Sequence, residues 1–170
     1  MDVARRAMGR AGFDSNGNLP PGVVAMTLDQ VRETFTWTPR RQALFRGLAA
    51  AARNLACAGV PAIWIDRSFT TAKDEPGDID GCWEYVPSVN VDLIDPVFLE
   101  LRPPREAMKA KYGIDFLIAD SRLSDARGAT VQEFFQTDRE GHRKGIVRVD
   151  LTLVSGRKGP RNKAGSGGRP

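Results

Sequence analysis

Between Thr38-Pro39 and Gly59-Val60-Pro61 the chain carries one uninterrupted helical pattern that runs straight into a strand-like segment. Threonine before proline is a helix start, because the hydroxyl accepts from an orphan N–H and proline brings its fixed φ to the first position. Leu44, Leu48, Ala51 and Leu55 recur at helical spacing, with Phe45 and Ala52 widening the stripe, so a helix with one buried face is expected over 39–58. Gly59 supplies a left-handed cap and Pro61 forbids continuation. Ala62-Ile63-Trp64-Ile65 follows at once, short, apolar and rich in β-formers, as a buried strand would be. A helix that hands the chain to a buried strand calls for helices layered on a sheet.

The remaining pattern agrees. Asn16-Gly17 and Pro21-Gly22 are turn formers, and Thr27 N-caps a short helix over Leu28–Phe35 with Asp29 in its first turn. Arg67 to Ala72 reads as a turn running into a short helix, and 78–85 as a second strand with Asp78 and Asp80 on one face. Helical material is expected over 96–111, split at Pro103-Pro104, then a strand over 114–119 and an amphipathic helix over 130–138. Residues 146–154 alternate, with Ile146, Arg148, Asp150 and Thr152 facing one way and Val147, Val149, Leu151 and Leu153 the other; this predicts a half-buried strand at or near a sheet edge. Strands separated by helices make an α/β or α+β protein, a mixed sheet flanked by helices.

Composition narrows the class. The 170 residues are 41% hydrophobic and 27% charged, the balance of a globular protein rather than a disordered or collagenous one. Charges interrupt every hydrophobic stretch, so none approaches the roughly 20 apolar residues of a membrane helix. No apolar segment follows Met1-Asp2-Val3-Ala4-Arg5-Arg6, and Cys57 and Cys82 make neither a disulfide framework nor a zinc site; a cytoplasmic setting is expected. The net charge of +4 is carried by the end of the chain, since residues 156–170 hold Arg157, Lys158, Arg161, Lys163 and Arg169 and no acid, which leaves the body at about −1. The organisation expected is a loose stretch over 1–12, a folded domain over 13–155 and a disordered basic tail over 156–170. Attraction to nucleic acid would rest on that tail and finds no support in the body.

One segment carries chemistry: Asp66-Arg67-Ser68-Phe69-Thr70-Thr71-Ala72-Lys73, then Pro76-Gly77-Asp78-Ile79-Asp80. A strand delivers Ser68 to a helix start, where unpaired N–H groups favour an anion. Two carboxylates then project from one face of the next strand, as ligands of a kind a magnesium ion prefers. Ser68 with Asp78-Ile79-Asp80 resembles the signature of the DNA polymerase β-like nucleotidyltransferase superfamily, over residues 62 to about 118. The turn 13–22, Ser68 to Lys73 and Pro76 to Asp80 are together similar to small uncharacterised bacterial and phage proteins of that fold.

The resemblance implies a nucleotidyltransferase-like sheet and a Mg²⁺- or Mn²⁺-dependent transfer of NMP from an NTP to a hydroxyl. Asp78, Asp80 and Asp115 would be catalytic metal ligands, with Asp150 the alternative third acid. Arg67, Ser68, Thr70 and Lys73 would face the nucleotide's phosphates. Some relatives of minimal size sit in toxin–antitoxin or phage-defence loci, which implies a protein partner and an alternative reading as an inactive, partner-binding module. Asp115 is favoured over Asp150 because a lone acid in an apolar strand is costly without a partner. Where the family has glycine before the serine, this chain has Arg67, which either binds phosphate itself or blocks the cradle. Lys73 beside Asp74 and Glu75 also reads as a surface ion pair, the single His142 cannot anchor a catalytic triad, and both cysteines and the three tryptophans read as core.

Overall fold

The computed structural model describes residues 12–100, 102–119, 135–137 and 141–154. The expectations for the two chain ends and for most of the helix over 130–138 lie outside them. Five strands form one mixed sheet in the order β1-β5-β2-β3-β4. They are β1 (Gly22–Met26), β2 (Ala62–Asp66), β3 (Ile79–Trp83), β4 (Ile114–Ile118) and β5 (Gly145–Asp150), with helices α1 (Leu28–Phe35), α2 (Pro39–Cys57) and α3 (Glu106–Tyr112). β1 runs parallel to β5 and β3 parallel to β4, while β2 is antiparallel to both of its neighbours. This is the α+β architecture expected, a mixed sheet flanked by helices.

The helix ends are set by local chemistry. Thr27 and Gln30 close a capping box on α1: the Gln30 N–H donates to Thr27 Oγ1 at 3.1 Å and the Thr27 N–H to Gln30 Oε1 at 2.8 Å. Thr38 caps α2, Pro39 opens it, and Gly59 (φ 88°) turns the chain out of it. The α2 stripe is the one read from periodicity: Leu44, Leu48, Ala51, Ala52 and Leu55 are buried and join Val31 and Phe35 of α1 and Met108 of α3 against one face of the sheet. That face presents Ile63 and Ile65, Ile79 and Trp83, Ile114 and Phe116, and Val147 and Val149. Truncating a fully buried leucine here, such as Leu48, costs about 2–5 kcal/mol.

Period two turns the alternate residues to the opposite face, where Ala62, Trp64, Cys82, Ala119, Phe135 and Ile146 form a smaller cluster. The same face carries Asp66, Asp80 and Asp115.

β5 lies near the sheet edge, as its alternation predicted, with β1 alone outside it, paired from Gly22↔Gly145 to Met26↔Val149. Three local expectations change. β5 ends at Asp150, where the Asp150 carboxylate accepts from the Thr152 N–H and a turn follows. The chain after β2 makes a single 3₁₀ turn, Arg67–Thr70, instead of a helix. Cys57 is exposed rather than core, and Cys82 is buried.

Candidate functional site

Strand register assembles the site. Asp66, the last residue of β2, pairs with Asp80 of β3, and Asp80 pairs in turn with Asp115 of β4. Three carboxylates therefore lie side by side across neighbouring strands, on the sheet face away from the helices. Asp78 stands two residues before Asp80, at the entry to β3.

Cations close both ends of this row. On the β5 side, Lys144 Nζ sits 2.7 Å from each oxygen of Asp66, and both residues are buried. On the β4 side, Arg105 binds Asp115, and Lys109 of α3 bridges Asp78 at 3.2 Å and Asp115 at 3.3 Å. Between them, Arg67 Nε lies 3.8 Å from Asp80 Oδ1, an ion-pair distance too long for a hydrogen bond.

The electrostatics follow from the placement. Burial, with Asp78 next in weight, pushes the Asp80 carboxyl up to about 6; Arg67 opposes the shift and the charges of Asp115 and Asp66 add to it. Burial also raises Asp66, and Lys144 opposes that without cancelling it. Asp115 goes the other way: burial alone would raise it, but the hydrogen bonds and charges of Arg105 and Lys109 win and hold it below the usual carboxylate range. Lys109 is raised, first by its hydrogen bond to Asp78. Asp80 is thus the acid of the row least compensated by its surroundings.

The turn beside the row is built on strain and on a buried guanidinium. Arg67 has φ 58°, the left-handed region, and is the one non-glycine residue with positive φ among the described residues. The chain carries a side chain here in a backbone shape that favours glycine, at a cost of about 1–2 kcal/mol. The Arg67 guanidinium lies 5.5 Å from the Phe135 ring centroid. Beneath the turn, Arg41 of α2 is fully buried and donates to the carbonyl oxygens of Phe35, Ser68, Phe69, Thr71 and Lys73. Its guanidinium stacks 3.7 Å above the Trp37 ring.

The four expected phosphate-facing residues separate. Arg67 and Ser68 open the turn beside Asp80. Thr70 is buried, with its hydroxyl turned back to donate to the Arg67 carbonyl at 3.3 Å. Lys73 is exposed, and it is its carbonyl that is held, by Arg41. A four-residue 3₁₀ turn also carries little dipole, so attraction for an anion rests on Arg67 rather than on a helix start.

Of the two candidate third acids, Asp115 is beside Asp80. Asp150 pairs with Ala62 at the opposite end of β2 from Asp66, four residues or about 13 Å along the strand, and its carboxylate is engaged by Thr152. Among the described residues, no three acidic, histidine or cysteine side chains are gathered closely enough to hold a metal ion as they stand.

Sequence reasoning missed Asp66, Arg41, Arg105, Lys109 and Lys144. A signal existed for Asp66, a charged residue closing an apolar strand one position before the noted segment's arginine. The four bases come from distant elements and had none.

Residues 11–150 match a family described as a family of unknown function, DUF6932. The chain belongs to the DUF6932 family. The DUF6932 match takes in all five strands, the acid row and Lys144. No curated protein and no solved structure matches the chain. No helix among the described residues is long and apolar enough to cross a membrane.

Proposed function

We propose that this protein is a nucleotidyltransferase that moves NMP from an NTP to a hydroxyl acceptor with the help of Mg²⁺ or Mn²⁺. The observation that carries the proposal is the in-register row Asp66, Asp80 and Asp115 directly beside the strained turn of Arg67 and Ser68. The donor chemistry fits a hard divalent cation: Asp78 and Asp80 offer carboxylate oxygens, and Asp80 has more acidic than basic neighbours acting on it. Asp78 and Asp80 would hold the ion, with Asp115 next in the row. When bound, it neutralises phosphate charge and polarises the α-phosphorus.

The chain's own side chains do the rest. Arg67 projects from a turn that Arg41 holds from below, and its guanidinium can fork onto two phosphate oxygens. Ser68 adds a hydroxyl at the same turn. Arg105 and Lys109 stabilise Asp115 as an anion, so it is a poor acceptor for the proton of the incoming hydroxyl. It serves as the anchor that keeps Lys109 beside Asp78.

Calorimetry with ATP, GTP, CTP and UTP, with and without Mg²⁺ or Mn²⁺, tests the reading. Metal-dependent binding of at least one NTP, lost in Asp78→Ala/Asp80→Ala, is expected. Incubation with labelled NTPs and a cell extract then reports transfer. The second reading, a catalytically silent module that binds a protein partner, draws on the fact that Arg67, Arg105 and Lys109 already engage Asp80, Asp115 and Asp78. Binding of none of the four nucleotides favours it.

A further inference from the structure

We infer that Lys144 is a positioning residue that aims Arg67 at the nucleotide's phosphates; this rests on the nucleotidyltransferase reading above. Lys144 is a buried lysine placed just before β5, far in sequence from the turn it touches. Its ammonium grips both oxygens of Asp66 at 2.7 Å, and Asp66 is the residue immediately before Arg67. Its backbone N–H donates to the Gln136 carbonyl at 3.0 Å, and Gln136 follows Phe135, the ring beside the Arg67 guanidinium. One residue therefore ties down both the backbone that launches the Arg67 side chain and the aromatic wall beside it.

The physical need is specific. Arg67 is held at φ 58°, a conformation a non-glycine residue leaves readily unless its surroundings over-determine it. A buried bidentate ion pair at the preceding residue is such a constraint, since breaking one partner away leaves an uncompensated buried charge. A water-exposed lysine would give no comparable restraint. Arg67 in turn lies 3.8 Å from Asp80, so a loosened turn moves the guanidinium relative to the acid row.

Coupling between the two residues tests this. Binding of ATP, GTP, CTP and UTP with Mg²⁺ is measured for wild type, Arg67→Ala, Lys144→Met/Asp66→Asn and the triple variant, each checked by circular dichroism to be folded at the working temperature. The paired change at 144 and 66 removes the ion pair without stranding a buried charge, and Lys144→Arg serves as the charge-conserving control. Loss of one charge-assisted phosphate contact corresponds to about a tenfold weaker NTP affinity. We expect that loss in Arg67→Ala and in the paired variant, no further loss in the triple variant, and a smaller loss in Lys144→Arg. Additive losses in the triple variant, or wild-type affinity in the folded paired variant, overturn the positioning role and leave the nucleotidyltransferase reading intact. If wild type binds none of the four NTPs, that reading fails and the inference with it.

Discussion

Asp80 and Asp115 are register partners on parallel strands β3 and β4, yet their carboxyls are displaced in opposite directions, Asp80 up to about 6 and Asp115 downward. The difference is one of partners. Arg105 and Lys109 both reach Asp115, whereas Asp80 has burial and acidic neighbours against the 3.8 Å contact with Arg67.

This fixes a pH dependence with a definite sign. Asp80 has a folded-state pKa above its unfolded value of 3.8, so its contribution to stability is fully present below pH 3.8 and is lost as the pH rises through about 6. Asp80→Asn removes that penalty and stabilises the protein at pH 7 by on the order of 3 kcal/mol. Denaturant unfolding at pH 7 and pH 4 checks it; an Asn variant less stable than wild type at pH 7 contradicts the charge account. Asp115 behaves oppositely, contributing stability above pH 3.8 that is lost as the pH falls below it.

The strain at Arg67 predicts a contrast between two substitutions. Arg67→Gly adopts φ 58° without a Cβ clash, so its folding stability stays within about 1 kcal/mol of wild type. Arg67→Val places a β-branched side chain in the left-handed region and loses about 2 kcal/mol. Equal unfolding midpoints for the two would show that the turn is not strained.

Arg41 is expected to be the costliest single truncation near the site. It donates to carbonyls of five residues from within the core, and Arg41→Met removes all of these bonds at once, a loss of about 3–5 kcal/mol. Arg41→Lys does not rescue it, because an ammonium cannot span acceptors arranged around a planar fork. Hydrogen exchange in segment 67–73 should accelerate in both; unchanged exchange there would remove Arg41 from the support of the turn.

Two glycines a few residues apart should respond differently to alanine. A Cβ at Gly81 would lie 2.2 Å from the Trp64 carbonyl oxygen and 2.6 Å from the Phe116 ring, so Gly81→Ala forces β2, β3 and β4 to shift. The expected loss is about 1–3 kcal/mol. A Cβ at Gly77 would meet nothing within 4 Å, and Gly77→Ala is expected to be neutral in thermal denaturation.

The local elements were legible because their causes are local. Thr27, Thr38, Pro39 and Gly59 act on backbone groups within a turn of themselves, and apolar spacing in α2, β2 and β4 reports burial directly. β1 was invisible because Val23 to Met26 pair with a strand more than a hundred residues away, and nothing in their own composition records that partner. The same pairing sets β5 one strand in from the edge of the sheet.

For the candidate site, the residues themselves established the strand, the turn and the paired aspartates 78 and 80, since strand periodicity sets which side chains share a face. Tertiary structure alone decided that Asp66 joins the row and that Lys144, Arg105 and Lys109 engage its acids while Arg41 supports the turn; Asp115 was already favoured over Asp150 by its apolar strand, and register sets it beside Asp80. Strand register and helix docking bring those groups together, and both are settled by the burial of whole faces rather than by any short stretch of chain.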